Sequence, residues 1–467
     1  MIPLTLAEIA TAVGGRLADG AAPDDEVTGP VVVDSRAIAP GSLFVAIAGE
    51  RADGHDFATA AVAAGAVAAL TGRSVGGPAV VVPDGDTVGA LGRLARRVVD
   101  RLPAAGIVGV TGSSGKTTTK DLLAQALARS GQTVAPPGSY NNEIGLPLTV
   151  LRADAGTRHL VLEMGARGDG HIAHLCAIAP PHVGVVLNVG SAHIGEFGGR
   201  EGIARAKAEL VAALPPDGLA VLNADDELVR AMADRTTARV MTFGTAPDAD
   251  MRATGGRLDD LGRPRFALVT GDDSAEVRLR LHGAHNVSNA LAAAAVALAA
   301  GLPLGAVAAA LSEAVPLSRW RMEVTDRPDG VTVVNDAYNA NPESMQAALE
   351  ALVAIAGGAV GRRTWAVLGE MRELGPDSAG AHERIGRLAA RLGVSRLVVV
   401  GEGAKPTHVG AGLAGAAAVF APDVPTATDL LSEEVRPGDV VLVKASRAAG
   451  LELIAQALLA GEGAACG

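Results

Sequence analysis

The segment 109–119, Gly-Val-Thr-Gly-Ser-Ser-Gly-Lys-Thr-Thr-Thr, contains the residue types that bind phosphate. It follows an apolar, β-rich run at 106–110 and precedes a predicted helix at 116–129, which is the context that a phosphate-binding loop requires. Small residues let backbone N–H groups approach phosphate oxygens, and the N-terminus of the helix favours negative charge. We therefore expect Lys116 to contact the β- and γ-phosphates of a nucleotide and Thr117 to bind Mg²⁺.

The spacing of this loop departs from the usual pattern G-x-x-x-x-G-K-[ST]. That pattern would place the first glycine at position 110, which is occupied by Val110. Gly112 and Gly115 still permit the tight turn. The residues predicted to bind the nucleotide in this loop are Thr111, Gly112, Ser113, Ser114, Gly115, Lys116, Thr117 and Thr118.

Two further residues follow predicted strands and are candidate metal ligands. Glu163 ends the run HLVLE at 159–163, and His193 follows the run VGVVLNV at 183–189. Side chains at the carboxyl ends of neighbouring strands can face the same loop, and a carboxylate oxygen is a suitable ligand for Mg²⁺. A surface carboxylate is the alternative for Glu163, and a lone histidine such as His193 is more often structural.

Lysine is rare in this chain. Of 40 lysine and arginine residues only five are lysines, which suggests that lysine is kept where arginine would not serve. Lys207 lies in a predicted helix at 201–213, where periodicity places it near Ile203 and Leu210 on a partly apolar face. By itself this position is more typical of a surface lysine whose aliphatic stem covers apolar neighbours.

Polar residues cluster at two places in the second half of the chain. The runs are His-Asn-Val-Ser-Asn at 285–289 and Asn-Asp-Ala-Tyr-Asn-Ala-Asn-Pro at 335–342. The second run follows a predicted strand at 331–335 and precedes a predicted helix. Asn-rich turns are common, but this density at the carboxyl end of a strand predicts a ligand site.

Composition narrows the class of protein and its compartment. The net charge of −11 and the lack of a basic run argue against nucleic-acid binding. Two cysteines, Cys176 and Cys466, provide neither a disulfide framework nor metal-ligand spacing, which indicates a reducing, cytoplasmic location. Nothing in the sequence demands more than a monomer.

Two apolar stretches resemble targeting or membrane segments. At the N-terminus, Thr5-Leu6-Ala7-Glu8 predicts a capping box that opens a helix rather than a signal peptide. Residues 290–311 are uncharged, but alanine is only weakly hydrophobic and Gly301-Leu302-Pro303 interrupts the stretch. We expect two short buried helices there and no insertion into a membrane.

The alternation of β-rich and helical patterns predicts an α/β fold. A chain of 467 residues is too long for one core. We predict three units, at 1–102, 103–316 and 317–467. Within the second unit, the region 240–283 is predicted to be a β-rich insertion.

Three segments resemble motifs of a known family: TGSSGKTT at 111–118, GAHNVSNALAA at 283–293 and DAYNANPESM at 336–345. In this order they resemble the Mur ligase family, the ATP-dependent amino-acid ligases of peptidoglycan synthesis, and the resemblance covers essentially the whole chain. The loop of that family reads T-G-x-x-G-K-[ST], with its first glycine where Gly112 stands. The resemblance implies a three-domain α/β architecture with a central P-loop ATPase-like domain and a C-terminal Rossmann-like domain.

The resemblance also implies roles for individual residues. Lys207 is at the position of the family's carbamoylated lysine, whose carbamate orients a second metal ion and which a guanidinium could not replace. Arg321 would contact phosphate, with Arg319 as the alternative. The residues implied to act in catalysis are Lys116, Glu163, His193, Lys207 and Arg321. Magnesium would be bound by Thr117, Glu163, His193 and Lys207, and the adenosine of ATP by Asn286, Asn289 and Asp336.

Within the family, the chain is most similar to members that join D-alanyl-D-alanine to UDP-N-acetylmuramoyl-tripeptide. The supporting segments are YNNEIG at 140–145, YNANP at 338–342 and GEMRELG at 369–375. The implied contacts to the uridine nucleotide are Ser35, Arg36 and Phe44. The other implied substrate contacts are Asn141, Asn142, Tyr338, Asn339, Asn341, Lys444 and Ser446.

Three alternatives stay open on the sequence. The diamino-acid-adding ligase of the same family typically carries Asp-Asn-Pro-Arg, and that tetrapeptide does not occur here. A relative of folylpolyglutamate synthase would use another substrate. A P-loop nucleotide switch would bind nucleotide without catalysing ligation.

Overall fold

The computed structural model of this protein describes residues 1–49, 52–191, 194–357 and 362–460. The described chain forms sheets of five, nine and six strands, and a small two-stranded sheet near the N-terminus. Helices pack against the three larger sheets, which confirms the predicted α/β class.

The first sheet of five strands has the order β2-β7-β6-β5-β4. The strands of this part of the chain are β1 (Leu4–Thr5), β2 (Arg16–Ala18), β3 (Glu26–Val27), β4 (Val31–Val32), β5 (Ser42–Val45), β6 (Ala66–Thr71) and β7 (Ala79–Val81). The helices are α1 (Leu6–Val13), α2 (Ala58–Ala63) and α3 (Thr87–Asp100).

The predicted capping box at the start of α1 is confirmed. The Thr5 hydroxyl accepts the N–H of Glu8 at 3.2 Å, and the Glu8 carboxylate accepts the N–H of Thr5 at 3.0 Å. This reciprocal pair satisfies two backbone donors that the first turn leaves unpaired.

The central sheet has nine strands in the order β16-β15-β14-β13-β12-β11-β8-β10-β9. Its strands are β8 (Gly106–Thr111), β9 (Thr133–Val134), β10 (His159–Glu163), β11 (Val183–Val186), β12 (Leu219–Asn223), β13 (Arg239–Gly244), β14 (Met251–Leu258), β15 (Pro264–Thr270) and β16 (Asp273–Arg278). Its helices are α4 (Lys116–Leu127), α5 (Gly145–Val150), α6 (His171–Ile178), α7 (Ile194–Phe197), α8 (Arg200–Ala212), α9 (Glu227–Arg230), α10 (Asn286–Ala299) and α11 (Leu304–Glu313).

The region 240–283 is rich in strands, as expected, but it is not a separate insertion. Strand β13 pairs with β12 and β14 in parallel, and β14, β15 and β16 then continue the same sheet in antiparallel pairs. Buried Phe243, Phe266 and Leu268 join the core that also contains apolar residues of β8 and α10. The shared core explains why these strands extend the sheet rather than form their own layer.

The third sheet has six strands in the order β17-β18-β22-β19-β20-β21. They are β17 (Glu323–Asp326), β18 (Thr332–Asn335), β19 (Thr364–Leu368), β20 (Arg396–Val400), β21 (Ala418–Ala421) and β22 (Val440–Lys444). The helices are α12 (Pro342–Gly357), α13 (Ser378–Arg391), α14 (Lys405–Leu413), α15 (Val424–Glu434) and α16 (Glu452–Ala460). All pairs are parallel except β17 with β18.

The uncharged stretch 290–311 forms parts of two helices, as predicted. Helix α10 ends at Ala299, Gly301 adopts a positive φ of 90°, and α11 begins at Leu304. No helix among the residues that the structure describes is long and apolar enough to cross a membrane.

A buried ion pair on α4 forms a hydrogen bond to Ser318, in the segment that leads into the third sheet. Lys120 and Asp121 are both buried, and their Nζ and Oδ1 atoms lie 2.5 Å apart. Lys120 Nζ also donates to the carbonyl of Pro136 at 2.8 Å, and Asp121 Oδ2 accepts the N–H of Ser318 at 3.0 Å. The helix that follows the phosphate-binding loop therefore holds the start of the connection to the third unit.

We predict that Lys120→Met destabilises the folded chain by about 3–5 kcal/mol, because it leaves the Asp121 carboxylate buried without its counter-charge. The matched control is Lys405→Met, since Lys405 forms an exposed ion pair with Glu402 at 3.2 Å, and such pairs contribute little. Urea-induced unfolding followed by circular dichroism measures both. Equal midpoints for the two variants would contradict the assigned role of the buried pair.

Candidate active site

A cavity of about 1110 Å³ lies where the three units meet. The first unit contributes Val33 and the start of α3, the central unit contributes the loop at 112–118, and the third unit contributes the segment after β18. Strand β8 pairs in parallel with both β10 and β11, so the carboxyl ends of all three strands reach this edge of the sheet. Ligands bind at such an edge in open α/β sheets.

The loop between β8 and α4 has the geometry of a phosphate cradle. Gly115 precedes α4 with a φ of 80°, and a Cβ there would lie 2.3 Å from Asn289 Oδ1, so this position requires glycine. The N–H of Ser114 donates to Asn188 Oδ1 at 2.9 Å, and the Ser113 hydroxyl accepts the N–H of Gly190 at 2.9 Å. These contacts tie the loop to the segment that follows β11.

Lys116 begins α4 and points back over the loop. Its Nζ donates to the carbonyl of Gly112 at 2.7 Å. Burial lowers the pKa of Lys116, the Glu163 carboxylate raises it, and the Arg321 guanidinium lowers it further. A phosphate group that accepted from Nζ would relieve this repulsion.

Thr117 and Glu163, the two predicted metal ligands nearest the loop, lie in contact with each other. Thr117 Oγ1 donates to Glu163 Oε2 at 2.9 Å, and both residues are buried. The other carboxylate oxygen, Oε1, accepts from Ser139 Oγ and from Asn141 Nδ2, each at 2.7 Å. These are hard oxygen donors of the type that Mg²⁺ prefers.

The described residues contain no group of three or more His, Cys, Asp or Glu side chains that could hold a metal ion. His193, the third predicted protein ligand, lies outside the described residues. Mg²⁺ is commonly held by one or two carboxylates together with substrate phosphates, so one carboxylate and one hydroxyl beside the loop fit it.

Lys207 lies on α8 and lines the cavity. It is buried together with Ile203 and Leu210, which confirms the predicted face of this helix. Burial, and then the charge of Lys116, lower the pKa of Lys207 well below the value of an exposed lysine. The amine is therefore uncharged over a wider pH range than a surface lysine.

The third unit contributes a buried ion pair. Lys444 Nζ lies 2.5 Å from Asp336 Oδ2 and donates to the carbonyl of Asn339 at 2.9 Å. Asp336 Oδ1 accepts the N–H of Met322 at 3.0 Å. Burial lowers the pKa of Lys444, whereas Asp336 raises it. Both side chains line the cavity, but each is engaged by the other, so their predicted contacts to ribose and second substrate stay predictions.

Arg321 is presented to the cavity by a strained backbone. Trp320 and Met322 on either side adopt positive φ values of 57° and 49°, which bulky side chains rarely adopt. The guanidinium lies 4.3 Å from the centre of the Tyr338 ring, and its buried Nε has no hydrogen-bond partner among the residues that the structure describes. Arg319 is exposed and does not line the cavity, so the geometry favours Arg321 for binding an anion.

Side chains at the start of α12 in the third unit contact the central unit directly. Asn341 Nδ2 donates to the carbonyl of Ser113 in the loop at 3.3 Å. The Glu343 carboxylate accepts from the N–H of Ser191 at 2.8 Å and from its hydroxyl at 3.1 Å. The start of α12 therefore touches the loop on one side and the segment after β11 on the other.

Most of the predicted site residues line this one cavity. They are Gly112, Ser113, Ser114, Gly115, Lys116, Thr117, Thr118, Asn141, Asn142, Glu163, Lys207, Asn289, Arg321, Asp336, Tyr338, Asn339, Asn341 and Lys444. They come from two of the three units and from positions up to 332 residues apart, counted from 112 to 444.

Thr111, Asn286 and Ser446 are buried but do not line the cavity. Asn286 Nδ2 donates to the carbonyl of His282 at 2.8 Å, and its Oδ1 accepts from Asn289 Nδ2 at 2.9 Å. Asn286 therefore orients Asn289, and its predicted direct contact to adenine stays a prediction.

The three residues predicted to bind the uridine nucleotide do not line the cavity. Phe44 is fully buried in a small alanine-rich core of the first unit. Arg36 is exposed and pairs with Asp34 at 2.7 Å. Ser35 lies beside them in the same turn. A role for Ser35, Arg36 and Phe44 in binding substrate stays a prediction.

Several cavity residues were not among the predicted site residues. They are Asp86, Arg167, His171, His174, His285, Glu343, Glu373 and Arg447. His285, Glu343 and Glu373 lie within the quoted motifs and Arg447 directly follows Ser446, so proximity to predicted residues was an available signal. Asp86 gave no such signal, because it is an ordinary helix cap that accepts the N–H of Gly89 at 2.7 Å.

Fold and site together define a P-loop nucleotide-binding enzyme assembled from three α/β units. Three family models match the chain: "Mur ligase family, catalytic domain" over residues 30–106, "Mur ligase middle domain" over 110–297, and "Mur ligase, glutamate ligase domain" over 320–447. This chain belongs to the Mur ligase family.

Relatives with an assigned activity match almost the full length. The UDP-N-acetylmuramoyl-tripeptide–D-alanyl-D-alanine ligase of Mycobacterium tuberculosis is 55% identical, with 98% of each chain covered. The enzyme of the same name from Escherichia coli is 36% identical, with 98% of this chain and 99% of the relative covered.

Solved structures match in the same way. A crystal structure of MurF from Acinetobacter baumannii superposes with a TM-score of 0.86 at 32% identity, covering 98% of this chain and 99% of that one. The MurF ligase of Thermotoga maritima in complex with ADP has a TM-score of 0.78 at 32% identity, covering 92% and 97%.

We predict that the free Lys207 amine, measured in CO₂-free buffer, titrates well below 10.5. The chain has five lysines, so ¹³C-lysine labelling produces few ε-methylene resonances, and Lys207→Arg identifies the one to follow. NMR spectra recorded as a function of pH measure the pKa. Because burial disfavours the charged form, the resonance should keep its neutral-amine position as the pH falls until that lowered pKa is reached. An ordinary lysine pKa would contradict the enclosed position of this side chain.

Proposed function

We propose that this chain joins D-alanyl-D-alanine to the terminal carboxylate of UDP-N-acetylmuramoyl-tripeptide, with cleavage of ATP to ADP and phosphate. The observation that carries the proposal is a single cavity in which Lys116, Lys207 and Arg321 meet beside a phosphate-binding loop. Full-length relatives that bear the name of this activity support the choice of substrates.

The reaction proceeds in two steps. A carboxylate oxygen of the tripeptide forms a bond to the γ-phosphorus of ATP. The bond between this phosphorus and the β,γ-bridging oxygen breaks, which releases ADP and leaves an acyl phosphate. The amine of D-alanyl-D-alanine then attacks the acyl carbon and loses a proton. The C–O bond between the acyl carbon and the phosphate breaks, and inorganic phosphate leaves. The product is the UDP-linked pentapeptide.

Cationic side chains make the first step feasible, because a carboxylate must approach a nucleotide that is itself highly negative. Lys116 binds the phosphates from the loop, and Arg321 faces them from the third unit. Both stabilise charge on the transferring phosphoryl group, where such interactions contribute most.

We assign Lys207 a different role. An uncharged, buried amine is the form that reacts with CO₂, and the lowered pKa of Lys207 supports carbamate formation there. A carbamate would convert this position from a neutral amine into an anion, whose charge Lys116 would attract. It would then serve as the metal-orienting group that the family resemblance implies.

We also propose that Mg²⁺ accompanies the nucleotide, held by Thr117 and Glu163. The contact between their oxygens at 2.9 Å beside the loop supports this assignment. When bound, Mg²⁺ would neutralise phosphate charge. Ser139 and Asn141 orient the carboxylate through the oxygen that faces away from Thr117.

The substrates divide among three proposed domains, 1–102 for the UDP-sugar, 103–316 for ATP and 317–467 for the incoming dipeptide. Each range contains one of the three large sheets, which supports this division. We place the reaction in the cytoplasm, as the supply of ATP requires, and propose a monomer, because all three domains belong to one chain.

The deciding experiment measures phosphate release from ATP with UDP-N-acetylmuramoyl-tripeptide, with and without D-alanyl-D-alanine, and identifies the product by mass spectrometry. We expect release that depends on both substrates and a pentapeptide product. Release that depends on a free amino acid instead would assign the chain to a sister ligase. Nucleotide binding without release of phosphate would favour a P-loop nucleotide switch.

In the same assay, we predict that Lys116→Ala reduces the rate on the order of a thousandfold or more, since it removes a charge aimed at the transferring phosphoryl group. Lys405→Ala is the matched control, because Lys405 is exposed and does not line the cavity, and it should retain the wild-type rate. Near-wild-type turnover of Lys116→Ala would remove this lysine from the mechanism.

A further inference from the structure

The segment Gly369–Gly375, between β19 and α13, forms part of the cavity wall. Glu373 lines the cavity and adopts a positive φ of 66°. Gly375 packs against α7 of the central unit, where a Cβ on Gly195 would lie 2.9 Å from the Gly375 Cα. Met371 and Leu374 are buried in the core of the third unit. The backbone path of this segment therefore decides what the third unit presents at this wall.

Two backbone donors in the segment are satisfied by side chains rather than by a strand. The N–H of Met371 donates to His382 Nε2 at 2.9 Å, and the N–H of Arg372 donates to Ser446 Oγ at 3.0 Å. A buried N–H that lost its acceptor would carry the full cost of desolvation. Backbone hydrogen bonds to Lys444 and Ser446 fix Gly369 and Glu370, so the path from Met371 onward depends on these two acceptors.

The surroundings of His382 select one form of its imidazole. His382 is completely buried on α13, and its Nδ1 lies 2.8 Å from the carbonyl of Ser378. A carbonyl only accepts and a backbone N–H only donates, so the proton resides on Nδ1 and Nε2 keeps its lone pair. Burial lowers the pKa of His382, while the Ser378 carbonyl and the Glu370 carboxylate raise it, and the net shift is downward.

We propose that His382 is a positioning residue of the ligase, whose neutral imidazole acts through the N–H of Met371 to hold segment 369–375 and with it the cavity wall at Glu373. His382 does not itself line the cavity, so it acts only through the segment. The proposal rests on the proposed function for its kinetic effect. Because the phosphate-binding loop belongs to another unit, reaction with the dipeptide should depend on His382 and nucleotide affinity should not.

Two substitutions separate the acceptor from the bulk of the ring. In His382→Asn, the side-chain amide reaches the position of Nδ1 and keeps the donor to Ser378, but nothing accepts from Met371. In His382→Gln, the side-chain oxygen reaches the position of Nε2 and restores that acceptor. Both variants remove the titrating group, and only His382→Gln keeps an acceptor for the N–H of Met371, so greater impairment of His382→Asn than of His382→Gln reports the contact to Met371.

We expect kcat/KM for D-alanyl-D-alanine to fall about tenfold or more in His382→Asn, as loss of a buried acceptor predicts. In His382→Gln it should stay within about threefold of wild type, since an acceptor remains. The KM for ATP should be nearly unchanged in both. Hydrogen exchange measured by mass spectrometry should show faster exchange of the peptide containing Met371 in the Asn variant and wild-type protection in the Gln variant.

Equal impairment of both variants, wild-type behaviour of both, or unchanged protection of Met371 in His382→Asn would overturn the proposal. If the Asn variant does not fold, the Gln variant decides through its kcat/KM for D-alanyl-D-alanine and through the hydrogen-exchange protection of the peptide that contains Met371. If the wild-type chain releases no phosphate with the dipeptide, the proposed function fails, and the exchange data alone then decide whether His382 holds the segment.

Discussion

The site depends on how its positive charges are accommodated. Lys116, Lys207 and Arg321 line one cavity, and the charge of one neighbour lowers the pKa of each lysine beyond the effect of burial. Glu163 offsets part of this repulsion at Lys116. Lys444 is neutralised separately, by Asp336 at 2.5 Å. The cavity is thus most favourable when it holds anions, and the three proposed substrates, a nucleotide, a peptide-bearing nucleotide sugar and a dipeptide, all carry phosphate or carboxylate groups.

The connections between the units have a mechanistic consequence. The Asn341 amide reaches the loop carbonyl of Ser113, and Glu343 reaches Ser191 beyond it. The start of α12 therefore holds the third unit against the loop. An acyl phosphate is prone to hydrolysis, and a cavity closed by several units excludes water from it. The buried pair on α4 holds the connecting segment at Ser318 and so limits how that unit can be oriented.

The sequence predicted the elements that are long or strongly patterned. The sequence predicts strands at 159–163, 364–368 and 396–400, and β10, β19 and β20 occupy these ranges, because continuous Val- and Leu-rich runs are typical of parallel strands buried on both faces. Strands β17 and β21 were missed. Glu323–Asp326 is mostly polar and partly exposed at the edge of its sheet, and Ala418–Ala421 lies at the opposite edge. Edge strands lack the two-sided burial that makes a strand recognisable.

The sequence by itself determined the chemistry of the loop, the capping box at Thr5 and the likeness to one ligase family, because each depends on residues adjacent in the chain. Only the tertiary structure decided which distant residues share a cavity. It brought Arg321 and not Arg319 to the site, paired Lys444 with Asp336, and left Phe44 in a core. It also revealed His382 beneath the cavity wall. These outcomes depend on packing between units and on long-range hydrogen bonds, and neither leaves a periodic trace in the sequence.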